Sequence, residues 1–562
     1  MRRIVALSLV LCLLWGCAVR DTVSETNHTE PVAERSPLVS TEYREATYET
    51  RFDTVTEVKL SDDGISVNGA GETDVVYTSH DIIYYADKET YDSGNPYGEG
   101  ELWERHTESE AAAHTVVNIT QPGAYRITGK LSAGQIRADL GEEAYGDENA
   151  VVELILSDAD ITCAVAPAIL FMNVYECDGE WSVDTAKSDV DTTAAGASLI
   201  LEGENTVTGS HVAKIYKDKE GEKKLWKQDG AVYSYMSMNV FGPGKLDLTA
   251  DNEGLDTELH LTINGGEIAI RADNDGINTN EDGVSVTTIN GGNIHMIAGL
   301  GEEGDGIDSN GWLVINGGTV VAAAHPAADA GLDSDMGSFI NGGTVIALGS
   351  AMDWAESDSD QVTMNLQFAQ QQSSDAALVV KRTDGTVIFA YDPGADEMLA
   401  ENKRVYSGAV ISCPNFHVGE LYHVFVDGKV TGEEFGGVYD VTTVTDYTGG
   451  TQMAYTGTDV MRGPGGMGFG GPMPENFDPN DLPEGMENFQ PGQRPEGMEK
   501  GEPPEMPENM APPEGMENFE PGEKPLGMEF PSKFERKDQV SDANTDFYMQ
   551  DKVNFFSGLT EV

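Results

Sequence analysis

Between residues 259 and 348 the apolar positions fall in short runs: 259–263, 284–289, 313–315, 319–323 and 344–348. The runs are rich in Val, Ile, Leu and Thr and show no helical period, so they predict strands. One phrase punctuates them four times, as Ile263-Asn264-Gly265-Gly266, Ile289-Asn290-Gly291-Gly292, Ile315-Asn316-Gly317-Gly318 and Ile340-Asn341-Gly342-Gly343, at spacings of 26, 26 and 25 residues. A second phrase precedes each copy: Glu253-Gly254-Leu255-Asp256, Asp275-Gly276-Ile277-Asn278, Asp305-Gly306-Ile307-Asp308 and Ala330-Gly331-Leu332-Asp333, with a weaker form at Asp229-Gly230-Ala231-Val232. A repeat this long is one supersecondary unit that cannot bury its apolar face alone, so the units must stack. Stacked β units of this kind predict an all-β chain whose centre is a parallel β-helix.

The rest of the chain is arranged around that centre. Residues 60–178 are β-rich, and 123–129 with 151–156 read as early coils before the repeat becomes regular. The charged stretch 214–227 reads as a loop. Strand-like alternation returns over 363–444, without the glycine phrase, as a flank or cap. Pro-Glu-Gly-Met-Glu recurs from Pro483, Pro495 and Pro513 in a segment too poor in apolar residues to fold on a core, which predicts disorder. The expected layout is a signal peptide (1–17), a tether (18–54), the β-helix (55–360), a β-rich flank (361–460), the low-complexity segment (461–531) and a C-terminal tail that adds a strand (532–562).

Alternation along a strand turns the repeat into candidate chemistry. With Leu255, Ile277, Ile307 and Leu332 pointing inward, Asp256, Asn278, Asp308 and Asp333 point outward on successive rungs. Glu258, Asn280, Asn310 and Asp335 form a second outward row, and Gly254, Gly276, Gly306 and Gly331 leave bare backbone where an ion or sugar approaches. Rungs lie ~4.7–4.9 Å apart, and stacked like charges oppose folding unless neutralised. Calcium takes oxygens at ~2.3–2.6 Å, so one ion spans roughly one rung. The expected metal ligands are therefore Asp256, Asp275, Asn278, Asp305, Asp308, Asp333 and Asp335, with Ca2+ as the cofactor. Asp-Gly and Asn-Gly pairs also form turns by themselves, and the asparagines of the Ile-Asn-Gly-Gly phrase read as a purely structural amide ladder. The sequence Asp273-Asn274-Asp275-Gly276 is not an EF-hand, because Arg271 stands at the first ligand position and no helices flank it.

Charge sharpens this reading. The net charge of −63, from 34 basic and 97 acidic residues, excludes nucleic acid and anionic membrane as electrostatic partners. From residue 246 to 380 the only basic residue is Arg271. At the N-terminus, Arg2 and Arg3 precede an apolar stretch (4–14) too short to span a bilayer. Leu14-Trp15-Gly16-Cys17 then resembles a bacterial lipobox, predicting lipidation of Cys17 and anchorage at the cell surface; Trp15 is unusual there, and ordinary cleavage stays open. Of the remaining Cys163, Cys177 and Cys413, either the first two form a disulfide or all three are buried thiols, and no Cys-x-x-Cys motif is present.

The ordered series of these phrases, from Gly123-Ala124-Tyr125-Arg126-Ile127-Thr128-Gly129 through Asp229-Gly230, the glycine-acid coils and the Ile-Asn-Gly-Gly turns, resembles a bacterial family of secreted carbohydrate-binding β-helix lipoproteins. The likeness covers residues 60–444. It implies a right-handed parallel β-helix similar to that of pectate lyases, with calcium carried by the Gly254, Gly276, Gly306 and Gly331 repeats. It also implies non-catalytic binding of cell-wall polysaccharide, either cellulose or acidic sugars such as polygalacturonate. The tether and the Pro-Glu-Gly-Met-Glu segment depart from the family pattern. Two other functions compete: a polysaccharide lyase, and a structural surface protein or adhesin whose calcium only staples the coils. A lyase needs a base; the coil stretch has Arg271 and the histidines His260, His295 and His325 but no lysine. Trp312 and Trp354 are the candidate aromatics for stacking on a sugar.

Overall fold

The computed structural model describes residues 38–40, 48–86, 88–90, 97–179, 181–216, 227–350, 353–458 and 543–562. Cys17, much of the 18–54 stretch and all of 461–531 lie outside them. The regular structure of the described residues is nearly all strand, in large sheets with extensive parallel pairing, and its α-helices are the short Glu108–Ala111 and Glu397–Asn402.

Through the repeat region the chain visits three parallel ladders in turn. The first contains Gly230–Ser234, Glu253–Thr257, Ile277–Thr279, Ile307–Ser309 and Leu332–Ser334. The second contains Met238–Phe241, Leu261–Ile263, Val286–Ile289, Trp312–Ile315 and Gly337–Ile340. The third contains Lys245–Ala250, Glu267–Ala272, Asn293–Ile297, Thr319–Ala323 and Thr344–Gly349. Each sequence repeat thus adds one rung to every ladder. Upstream, Gly123–Leu131, Val152–Thr162 and Ala197–Glu202 pair in parallel as earlier rungs.

Apolar stacking fixes the register. Val232, Leu255, Ile277, Ile307 and Leu332 line up along the first ladder, and all are buried. Ile263, Ile289, Ile315 and Ile340 do the same in the second, and Leu246, Ile268, Ile294, Val320 and Val345 in the third. A one-residue slip in any rung would turn its whole apolar set outward, so every rung enforces the next.

Parallel stacking stops at Thr344–Gly349, which pairs antiparallel with Tyr406–Ser412. Thr363–Gln372 pairs with that strand and, in parallel, with Val553–Glu561. The flanking strands thereby cover the last edge of the stack, where unpaired backbone would otherwise recruit other chains.

The Ile-Asn-Gly-Gly turns work by two devices. Asn290, Asn316 and Asn341 each donate a side-chain hydrogen bond of 2.9 Å to the asparagine one rung earlier, beginning at Asn264. The second glycine of each phrase has positive φ, from 84° at Gly318 and Gly343 to 105° at Gly266. At Gly318 an added Cβ would also sit 2.4 Å from the Gly292 carbonyl oxygen. The left-handed backbone alone disfavours an L side chain by ~1–2 kcal/mol, and the backbone clash adds to it. Gly318→Ala is expected to lower unfolding stability by about 2 kcal/mol or more in urea titration. Gly385→Ala, at φ 90° with no atom near its Cβ, should show only the conformational part.

Candidate functional site

The first ladder brings the repeat acids into one row. Asp256 pairs with Asn278, Asn278 with Asp308 and Asp308 with Asp333. At the preceding rung Tyr233 holds the equivalent place and donates its hydroxyl hydrogen to Glu258. A parallel set lies three residues earlier on the same coils. There Asp275 accepts from the backbone N–H of Asp305 at 2.7 Å, and Asp305 from that of Ala330 at 2.6 Å. Each of these two carboxylates spends one oxygen tying its rung to the next.

The row is not uniformly outward, which corrects the expectation drawn from strand alternation. Asp256 is fully buried, and Asn278 and Asp275 are buried as well. Asp305 and Asp308 are half-buried, while Asp333 and Asp335 are exposed. The row therefore runs from a closed end at Asp256 to an open end at Asp333. The glycine row is corrected too. A Cβ at Gly254, Gly276 or Gly306 would lie 2.4, 2.6 or 2.4 Å from the carbonyl oxygen of the next rung's glycine. These glycines allow close rung-to-rung contact inside the stack and leave no open backbone for a ligand.

Burial and mutual repulsion dominate the electrostatics. Desolvation, followed by the charges of Glu253, Asp308 and Asp305, pushes the Asp275 carboxyl well above its usual range. Desolvation and Asp333 raise Asp305 to about 8, and the same two causes raise Asp308 to about 7. Asp333 and Asp335 are shifted upward, again chiefly by desolvation. At the closed end, burial and the neighbouring Glu253 charge hold Asp256 far above the carboxylate norm.

Glu253 Oε2, Asp256 Oδ2 and Asn278 Oδ1 are buried there with no donor from another residue type, and the Asp256 carboxyl, held above the carboxylate norm, shares a hydrogen bond with Glu253. An unpaired buried acceptor is unfavourable by ~1–3 kcal/mol, which falls here on the Asn278 oxygen. Carboxylate and amide oxygens without nitrogen or sulfur suit a hard cation such as calcium. Among the described residues no three His, Cys, Asp or Glu side chains converge as a ready-made cage. The donors that fit are instead carboxylates mixed with the Asn278 amide.

A lysine reaches the row from outside the repeat. Lys227 Nζ lies 2.7 Å from Asp229 Oδ2 and 3.9 Å from Glu253 Oε1. Burial works against its ammonium, but Glu253 and Asp229 together outweigh that and raise its pKa. Sequence reasoning missed this residue because it looked for bases only from residue 246 onward and took 214–227 for a loop. The available signal was Asp229-Gly230, which places Lys227 at the entrance to a rung.

The other candidate bases are engaged. Arg271 bonds to Asp247. His260 accepts from the Val286 N–H at 3.1 Å and faces Asp178 at 3.3 Å. His295 lies 3.0 Å from Asp396 and packs on Phe435, and His325 lies 3.5 Å from Asp329. Cys163, Cys177 and Cys413 are free thiols, so the Cys163–Cys177 disulfide is not formed. Trp354 packs edge-on against Phe555 and Trp312 is half-buried. The most exposed aromatic among the described residues is Trp103, 80% exposed beside Leu102 in a turn before the repeat, a position sequence reasoning passed over by searching only the coils.

A family model described as "Carbohydrate-binding domain-containing protein" matches residues 113–392, a span that contains the whole acidic row and Lys227. Among solved structures, one titled "Structure of the polysaccharide lyase-like protein from C. thermocellum, Gadolinium derivative" is 20% identical. The match covers 51% of this chain and 91% of that one, with a TM-score of 0.31. No curated protein matches. The family match supports a carbohydrate as the partner of this region.

Proposed function

We propose that this chain binds a cell-wall polysaccharide without cleaving it, in a calcium-dependent manner, from the cell surface to which a lipid on Cys17 holds it. In this reading the three ladders wind as a right-handed parallel β-helix. The observation that carries the proposal is the in-register row of acid and amide side chains, closed at Asp256 and open at Asp333. Along this row Asp256, Asp275, Asn278, Asp305, Asp308, Asp333 and Asp335 are the ligands proposed for calcium, the last of them reached from the open end. A bound ion neutralises the row there and, with six to eight oxygen positions, can share carboxylates with an acidic sugar chain. Without such an ion, a protein of net charge −63 repels a polyuronate. The carbohydrate-binding description of the matching family supports the ligand class.

The absence of catalysis rests on the state of the bases. Abstracting the proton beside a uronate carboxylate needs a group that is unprotonated and free to move toward it. Lys227 is held protonated by Asp229 and Glu253, Arg271 is tied to Asp247, and the three histidines are committed to acids of the scaffold. The test is one incubation with polygalacturonate and calcium, followed by recovery of the polymer. Retention of protein on the polymer is expected, with no growth of the ultraviolet absorbance of unsaturated ends. Steady growth of that absorbance would make the protein a lyase, and loss of retention in calcium would remove the ligand reading.

A further inference from the structure

The outer face of the third ladder stays open over its lower rungs. Lys130, Asp160, Thr206, Asp247 and Ala269 occupy successive rungs there in register. Thr208, Thr249 and Arg271 run beside them, two residues on along the last three strands. The intervening Val207, Leu248 and Ile270 are in the core, so both rows leave the sheet on its solvent side. Further up the same row come Val321 and Ile346, which are apolar and buried. The flank reaches the ladder between the two stretches, at His295, which packs on Phe435 and lies 3.0 Å from Asp396. The row therefore stays polar below the flank and turns apolar from there on.

Charge on the open rungs is matched pair by pair. Lys245 and Arg271 are the only basic residues from 228 to 380, and both lie on this face. Lys245 bonds to Glu267 at 2.6 Å, Lys130 to Asp160 at 2.5 Å and Arg271 to Asp247, each across one rung. A protein of net charge −63 thus keeps a strip in which each of these bases has an acid beside it. Five rungs make the strip about 20 Å long. Exposed ion pairs add little to stability, and their oxygens and N–H groups can also serve the hydroxyls of a partner. A uronate chain would meet acids there whose matching bases are already engaged. An uncharged sugar chain meets donors and acceptors side by side.

The Trp103 turn is fastened to the edge of this strip. Asp251 directly follows the strand Lys245–Ala250. It accepts from the Ser210 hydroxyl at 2.6 Å and faces His211 Nδ1 at 3.0 Å, while His211 Nε2 lies 3.3 Å from Glu104. Burial opposes charge on His211, but Asp251, Asp229 and Glu104 outweigh it and raise its pKa to about 9. At neutral pH the ring is a cation holding an acid on each side. The Glu104 N–H donates back to the Glu101 carbonyl at 3.1 Å, closing the turn around Leu102 and Trp103. These two side chains are 70% and 80% exposed on a braced support. An indole there offers a rigid apolar face, which the C–H face of a pyranose ring can cover without any charge.

We propose that an uncharged cell-wall polysaccharide chain lies along the open rungs of the third ladder and stacks one ring on Trp103, at a second carbohydrate site that needs no metal. The inference rests on the carbohydrate reading of the chain but uses no residue of the acidic row, so the two sites fail separately.

The experiment is native affinity electrophoresis of the full chain in gels containing hydroxyethylcellulose, with circular dichroism to follow folding. Wild type is expected to be retarded as strongly in chelator as in calcium. Trp103→Ala should weaken retardation by about tenfold or more. Thr249→Arg, which fills the strip from an exposed position, should weaken it by about fivefold or more, and Thr206→Arg replaces it if that variant does not fold. Asp308→Ala with Asp333→Ala should leave retardation unchanged, and this variant in calcium decides if chelator unfolds the protein. Unretarded wild type overturns the proposal. So does retardation lost in the folded acidic double variant, which would make the neutral chain a ligand of the row. Loss in Trp103→Ala with full retardation of both arginine variants removes the strip and confines recognition to the turn. Full retardation of Trp103→Ala with a changed sedimentation rate assigns the turn to contact between copies and overturns the site.

Discussion

Calcium is expected to raise the melting temperature of the chelator-treated protein, and Asp308→Asn with Asp333→Asn is expected to abolish that rise. An ion that binds only the folded chain stabilises it by mass action, ~2.7 kcal/mol at a hundredfold excess over Kd. The in-register pairing of Asp308 with Asp333 sets two carboxylates one rung apart. Two ionised carboxylates ~4.8 Å apart repel by about 3 kcal/mol at an effective dielectric of ~20, with solvent screening the exposed Asp333 further. Replacing both acids by the isosteric amides removes the repulsion together with both negative charges, leaving only weaker neutral ligands. The double variant should therefore melt higher than wild type in chelator and gain little from calcium. A metal-free melting temperature that falls on substitution would show that these acids are paired by something other than an ion. No response of wild type to millimolar calcium would remove the metal from the open end.

Much of the fold was legible because the repeat states it twice, once in the apolar positions and once in the turns. Leu255, Ile277, Ile307 and Leu332 had to stack, and their stacking brings Asp256, Asn278, Asp308 and Asp333 into register whatever else happens. The asparagine ladder was legible for the same reason, since three near-equal offsets of 26, 26 and 25 residues bring the four amides to the same place on successive rungs. Burial was not legible. Alternation says which face of a strand a side chain leaves by, but not what later lies over that face. The open end matches the outward reading at Asp333, whereas the closed end does not at Asp256. Lys227 reaches this end from a stretch that carries no repeat phrase. The glycines were misread on a related ground: a residue without Cβ serves close backbone contact inside a stack as well as access from outside. Only the neighbouring carbonyl, 2.4 Å from a Cβ built at Gly254, tells the two apart.

Loss of polyuronate binding in Asp308→Ala with Asp333→Ala, by tenfold or more and without unfolding, is the largest functional effect expected. Asp308 is half-buried and Asp333 exposed, so each can meet both an ion and a ligand from solution. Neither donates to the apolar stack, whose inward neighbours are Ile307 and Leu332, so their removal leaves the core untouched. Five rungs of the first ladder present a straight periodic surface ~20 Å long, which suits an extended polymer better than a single sugar. Affinity carried by ions shared between two sets of carboxylates must vanish with chelator and weaken when either set is removed. Esterifying the uronate carboxyls should then act like mutating the protein. Stacking of a neutral chain on an exposed aromatic such as Trp103, 80% exposed, obeys neither rule. Cellulose retention that survives chelator and the double variant, but falls on Trp103→Ala, would place neutral-chain recognition on that turn and leave the acidic row to uronates. Polyuronate retention that is undiminished in the folded double variant would instead move the ligand away from the row altogether, toward the strands of residues 363–444.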